Sequence, residues 1–176
     1  MGARPKPWPA VGASRLMDKR LLAAWEDWER SRPRPERTLA RVAFHRLLTR
    51  QTTGIGDLAS VLGLPTAQVA ETIRHMVTEG VATVDGERVT GVGGLSGVPA
   101  PHALTWDGRP YWTWCALDAI GIAAVIGGTV VVRSQADPVG EPVQLTFEDG
   151  VWMDPDPELG IRLTEPEAAR KLCADT

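Results

Sequence analysis

Apolar and polar positions along the chain change period as the sequence proceeds. Residues 1–13 are a loose, Pro-rich lead. From Ser14, a plausible N-cap, Leu21, Leu22, Trp25 and Trp28 fall at helical spacing and predict a helix to about residue 30. The run Arg32-Pro33-Arg34-Pro35 breaks it. A second helix is predicted over 38–50, with Leu39, Val42, Ala43, Leu47 and Leu48 inward. A short helix over 57–62 then meets the turn Gly63-Leu64-Pro65. A longer helix follows over 66–79, capped by Thr66, ended by Gly80, with Val69, Ile73, Met76 and Val77 inward. Alternation over 81–84 and 88–92 around Asp85-Gly86 predicts a β-hairpin. Helix, turn, helix and two-stranded wing together predict a winged helix over 14–92.

The Gly- and Pro-rich stretch 91–101 reads as a hinge into a second region, 93–176. There a strand is predicted over 104–106 before the Asp107-Gly108 turn. A helix is predicted over 112–120, continued by a buried, glycine-broken stretch over 121–128. Strands over 129–133, 143–147 and 160–164, with turns at Asp137-Pro138 and Glu148-Asp149-Gly150, predict an antiparallel meander packed on that helix. A last helix is predicted over 165–173. The fold class is α+β: a helical winged-helix-like module, then a helix on an antiparallel sheet.

Composition narrows the functional classes. With 43% hydrophobic and 23% charged residues, the chain has the balance of a globular domain. A net charge of -3 argues against a strongly basic nucleic-acid or membrane binder. The helix that would enter a DNA groove exposes Gln68, Glu71, Thr72, Arg74, His75 and Thr78, and the wing offers Arg88 beside Asp85 and Glu87. Arg74 is the helix's only permanent cation and Glu71 and Glu79 offset it, so little phosphate is neutralised and specific DNA binding is not expected. No signal-peptide pattern is visible, and the longest apolar stretch, 119–128, is about half of a membrane span. The chain is expected to be cytoplasmic, with Cys115 and Cys173 both reduced. The seven Trp residues are spread along the sequence and read as packing residues. His45, His75 and His102 have no metal-ligand spacing, the first two on helices and the third in a loop.

The chemistry concentrates in the segment from Arg109 to Gly121. Cys115 and Asp118, three residues apart, would share one helix face. A thiolate beside a carboxylate is disfavoured by like charge unless a soft cation lies between them. The carboxylate could then take up a proton and pass it on.

Tyr111-Trp-Thr-Trp-Cys-Ala-Leu-Asp118 resembles the active-site signature of the organomercurial (alkylmercury) lyase family. The resemblance extends through Gly94-Leu95-Ser96, Asp107-Gly108-Arg109, Ile126-Gly127-Gly128-Thr129, Val143-Gln-Leu-Thr146 and the stretch from Gly160 to Leu163, and so spans about residues 90–166. It implies a truncated or divergent member that cleaves a carbon–mercury bond by protonolysis. In that reading Cys115 captures the metal, Asp118 delivers a proton to the leaving carbon, and a second thiol, Cys173, shares the metal. The implied partners are an organomercurial or other small-molecule substrate and a thiol donor or mercury-accepting protein. No cofactor is implied. The alternative is a non-catalytic metal or ligand binder of the same fold, with the winged helix as a transcriptional reporter.

Overall fold

The computed structural model describes residues 27, 30–135 and 142–155. The predicted strand over 160–164, the helix over 165–173 with Cys173, the turn at 137–138 and nearly all of the helix over 14–30 lie outside them.

Among the described residues, three helices with described bounds precede the sheet: α1 (Arg34–Leu48), α2 (Ile55–Leu62) and α3 (Thr66–Thr78). The prolines read as a break instead start α1, because first-turn N–H groups have no intrahelical acceptor, so a missing one costs nothing, and Pro35 presets its φ. Helix α2 closes on Gly63 in the left-handed conformation (φ 64°). Pro65, not Thr66, occupies the N-cap position of α3, which has no side-chain capping bond. Leu39, Ala43, Leu58, Ala59, Val69, Ile73 and Met76 pack with Val81, Ala82, Val89 and Val92 into a first apolar cluster. Val77, expected inward, is instead exposed, one step off the stripe that Val69, Ile73 and Met76 define.

Eight strands follow: β1 (Ala82–Asp85), β2 (Arg88–Val92), β3 (Leu95–Ser96), β4 (His102–Trp106), β5 (Arg109–Thr113), β6 (Thr129–Gln135), β7 (Pro142–Glu148) and β8 (Val151–Trp152). They form one sheet in the order β1-β2-β3-β5-β4-β6-β7-β8, antiparallel throughout. The expected hinge over 91–101 is therefore not a hinge. Gly93 and Gly94, both at positive φ (59° and 81°), make a two-residue turn between β2 and β3. Leu95 and Ser96 are then almost wholly buried in the sheet.

The fourth helix, α4 (Ala116–Ala123), begins four residues later than the 112–120 expected. Tyr111, Trp112 and Thr113 are in β5, where aromatic and β-branched side chains suit a pleated, half-buried surface. The predicted apolar continuation also stops early: α4 runs through Gly121 but ends at Ala123, and Val125 is exposed. Strand alternation puts Leu104, Tyr111, Val130, Val132, Leu145 and Phe147 on one face, where Ala119, Ile122 and Ala123 of α4 cover them with Leu48 and Leu95. Among the described residues no helix is long and apolar enough to cross a membrane.

Candidate active site at the start of the fourth helix

Cys115 is the N-cap of α4, with an extended backbone (φ -139°, ψ 166°), and Asp118 is the third residue of the helix. The pair is thus joined across the helix start rather than along a helix face. The Asp118 backbone N–H donates to Cys115 Sγ at 3.4 Å. In return the thiol donates to Asp118 Oδ2 at 3.0 Å, and the Cys115 backbone also bonds the carboxylate. This is the reciprocal arrangement of a capping box, with sulfur where Ser or Thr normally stands. A thiol is a weak hydrogen-bond acceptor, so Ser or Thr would cap this helix better. Capping alone therefore does not explain the sulfur.

Burial pushes the Asp118 carboxyl above its ordinary range, opposed by the hydrogen bonds from the Cys115 side chain and backbone. The surface that buries it is the turn between β2 and β3. A Cβ on Gly94 would stand 2.2 Å from Asp118 Cγ, so no side chain fits there, and the positive φ independently favours glycine. The turn is tied to the site through its backbone: Trp114 N–H donates to the Gly94 carbonyl at 3.2 Å. Trp114 itself is buried, and its ring lies where a Cβ on Gly91 would be 2.7 Å from Cζ2. The Thr113 hydroxyl reaches the Cys115 carbonyl at 3.3 Å.

The structure brings together Cys115 and Asp118 of the expected trio, while Cys173 lies outside the described residues. His102, expected in a loop, is in β4 opposite Thr113, and its Nδ1 lies 2.5 Å from Ser134 Oγ. Burial lowers its pKa. His45 is on α1, and His75 of α3 faces Glu36 at 2.9 Å. Among the described residues no three His, Cys, Asp or Glu side chains cluster as a metal site. Gly94 and Trp114 were not among the candidates. A Cys-x-x-Asp read as a capping box would have placed the helix start at 115, and Trp114 and the turn glycine beside it.

Other stretches of the resemblance lie at the opposite end of α4. Asp107 Oδ1 accepts from Thr129 N at 3.3 Å, Asp149 Oδ1 from Gly128 N at 3.0 Å, and Trp106 Nε1 donates to the Gly127 carbonyl at 3.0 Å. They fix the loop that returns α4 to β6.

Part of the chain is similar to known proteins. Residues 95–175 match the family model MerB, alkylmercury lyase. The alkylmercury lyase of Bacillus cereus is 31% identical over 111 residues, 63% of this chain and 50% of that protein. That of Streptomyces lividans is 35% identical over 86 residues, 48% of this chain and 40% of that protein. That of Pseudomonas putida is 36% identical over 77 residues, 43% of this chain and 36% of that protein. The chain spans about half the length of the curated relatives it matches. The crystal structure of the mercury-bound form of MerB2 shares the fold, with a TM-score of 0.69 at 20% identity over 80% of this chain and 69% of that one. The stretch similar to the alkylmercury lyases, residues 95–175, contains Cys115 and Asp118.

Proposed function

We propose that the protein is a carbon–mercury lyase in which Cys115 captures an organomercurial cation and Asp118 manages the proton. The observation that carries the reading is a thiol held at a helix N-cap with its S–H directed at a partly buried carboxylate. As mercury in R–Hg–X approaches Sγ, the S–Hg bond forms, X⁻ leaves and the thiol proton passes along the existing hydrogen bond to Asp118. Two features favour that transfer. The N-terminus of α4 stabilises negative charge on Sγ, and burial already favours the protonated carboxyl. In the second step Asp118 returns the proton to the carbon. The electron pair of the C–Hg bond becomes the new C–H bond, R–H leaves, and Hg²⁺ stays on sulfur.

A second thiolate on mercury would push electron density toward the carbon. Cys173 is proposed for this role, supported by its place inside the matched span. A small thiol donor or a mercury-accepting protein would then remove the metal. No organic or redox cofactor enters the scheme.

The same reading divides the chain into a winged-helix-like part over 14–92, after the lead at 1–13, and a lyase part over 93–176. Two apolar clusters drawn mainly from either side of this boundary support it, although Leu48 of α1 belongs to the second and Phe44 and Leu47 touch both. A cytoplasmic location is proposed with it. Specific DNA binding is not part of the proposal, because Arg74 is paired with Glu71 and His75 with Glu36 on the helix that would enter the groove.

The test is headspace gas chromatography of methane or benzene released from methyl- or phenylmercury in excess thiol. Release by the protein as it stands, and none by Cys115→Ser, is expected. Mercury binding without hydrocarbon release would overturn the enzymatic reading for these substrates.

A further inference from the structure

A second concave site lies away from Cys115, in a groove of about 320 Å³ lined by residues of the α1–α2 connection, β2 and β5. Two arginines, Arg50 and Arg88, line it together with Gln51, Thr52, Thr53 and Tyr111. Among the described residues no acidic side chain lines the groove.

Arg50 is held there at a conformational cost. It occupies the position just beyond the end of α1 at φ 54°, where glycine is favoured. Its N–H bonds to the Leu47 carbonyl at 3.1 Å and that of Gln51 to the Arg46 carbonyl at 2.8 Å, the pattern of a Schellman turn. A β-carbon in that region is strained by roughly 1 kcal/mol or more. The side chain is nonetheless fixed: Nη2 donates to the Pro110 carbonyl at 2.6 Å, and the guanidinium lies 5.0 Å from the centre of the Tyr111 ring.

Arg88 is held from the other side. It is the first residue of β2 and bridges to Gly54. The strap is tightened by Val89 N to the Thr53 carbonyl at 3.1 Å and Ile55 N to the Glu87 carbonyl at 2.9 Å. Neither Arg50 nor Arg88 forms an ion pair among the described residues.

A lone Arg50 could be read as a cation that offsets the negative end of α1. That end carries only about half an elementary charge, whereas two full charges line this groove, so a positive excess remains. Guanidinium forks match planar or tetrahedral oxyanions, and the volume suits a small molecule.

We propose that the groove between Arg50 and Arg88 binds a small oxyanion, a phosphate or carboxylate group, independently of the chemistry at Cys115. Isothermal titration of the full chain at constant ionic strength tests this, with inorganic phosphate in one arm and succinate in the other. Saturable binding of at least one is expected, and the stronger arm identifies the source of the oxyanion. Arg88→Ala, a change at an exposed position, should weaken binding at least about tenfold, as loss of one charge-assisted hydrogen bond implies. Arg50→Lys, which keeps the charge but loses the fork, should also weaken it. Arg133→Ala, at an exposed arginine on β6, should not. Absence of saturable binding in both arms would overturn the proposal. So would wild-type binding by Arg88→Ala and Arg50→Lys, or an equal loss in Arg133→Ala.

Discussion

The two ends of α4 are built from the same residue type and do different things. At the far end, Asp107 and Asp149 spend their carboxylates on backbone N–H groups of the loop into β6. At the near end, Asp118 faces a thiol and is buried under a glycine turn. A carboxylate bonded to backbone amides is satisfied and holds structure. A carboxylate bonded to a thiol, in a place where burial favours its proton, is poised to exchange that proton. The partner, not the residue type, separates the two roles.

That contrast can be broken by substitution, and the largest effect belongs to Cys115. Cys115→Ser should abolish both mercury capture and hydrocarbon release while keeping a helix cap, since Ser is the better capping residue. Mass spectrometry after methylmercury treatment and circular dichroism read the two outcomes together. Asp118→Asn comes next: mercury should still bind, but hydrocarbon release should fall by roughly two to four orders of magnitude, the range for losing a positioned acid–base group. Equal turnover by this variant would remove Asp118 from the mechanism and leave the likeness to the alkylmercury lyases intact.

Gly94→Ala should cost less in chemistry and more in folding. Its methyl would displace the Asp118 carboxyl, and a misplacement on the scale of an ångström costs on the order of a hundredfold in rate. Parallel measurement of turnover and melting temperature distinguishes this from simple unfolding. The opposite end of the helix should show the reverse pattern. The double variant Asp107→Ala, Asp149→Ala loses two hydrogen bonds and should be destabilised by about 1–3 kcal/mol, with turnover intact below its melting temperature.

The smallest effect is in pH dependence. Asp118 has a raised pKa in the folded protein. Ionising it therefore costs native stability as pH rises from the ordinary value of 3.8 through the folded pKa, and the cost is full above that. Asp118→Asn should melt above the wild type near neutral pH, and the gap should close as pH falls toward 3.8. His102 has a lowered pKa. Its contribution has the opposite sense: stability is lost as pH falls below the ordinary value of 6.5, because the unfolded chain takes up the proton first. Thermal melts across pH of the wild type, Asp118→Asn and His102→Gln separate the two.

The sequence by itself determined the elements whose signals are local. The stripes through Leu39 and Ala43 and through Val69, Ile73 and Met76, the two-residue hairpin turns and the alternation of β6 and β7 are all readable from periodicity and turn chemistry. So was the Cys115–Asp118 pair, because its motif is compact. What the sequence left to tertiary structure was whatever depends on residues far apart in the chain. Gly93-Gly94 reads locally as a flexible break, and only pairing of β2 with β3, and of β3 with β5, makes it a rigid turn beneath Asp118. Tyr111 to Thr113 carry only a weak, context-dependent local preference for strand. Their pairing with β4 decides it, and that moves Cys115 from the middle of a helix to its first capping position. The physical reason is that burial and sheet register are properties of the assembled layers. A carboxylate's proton affinity follows from the burial those layers impose, not from its neighbours in sequence.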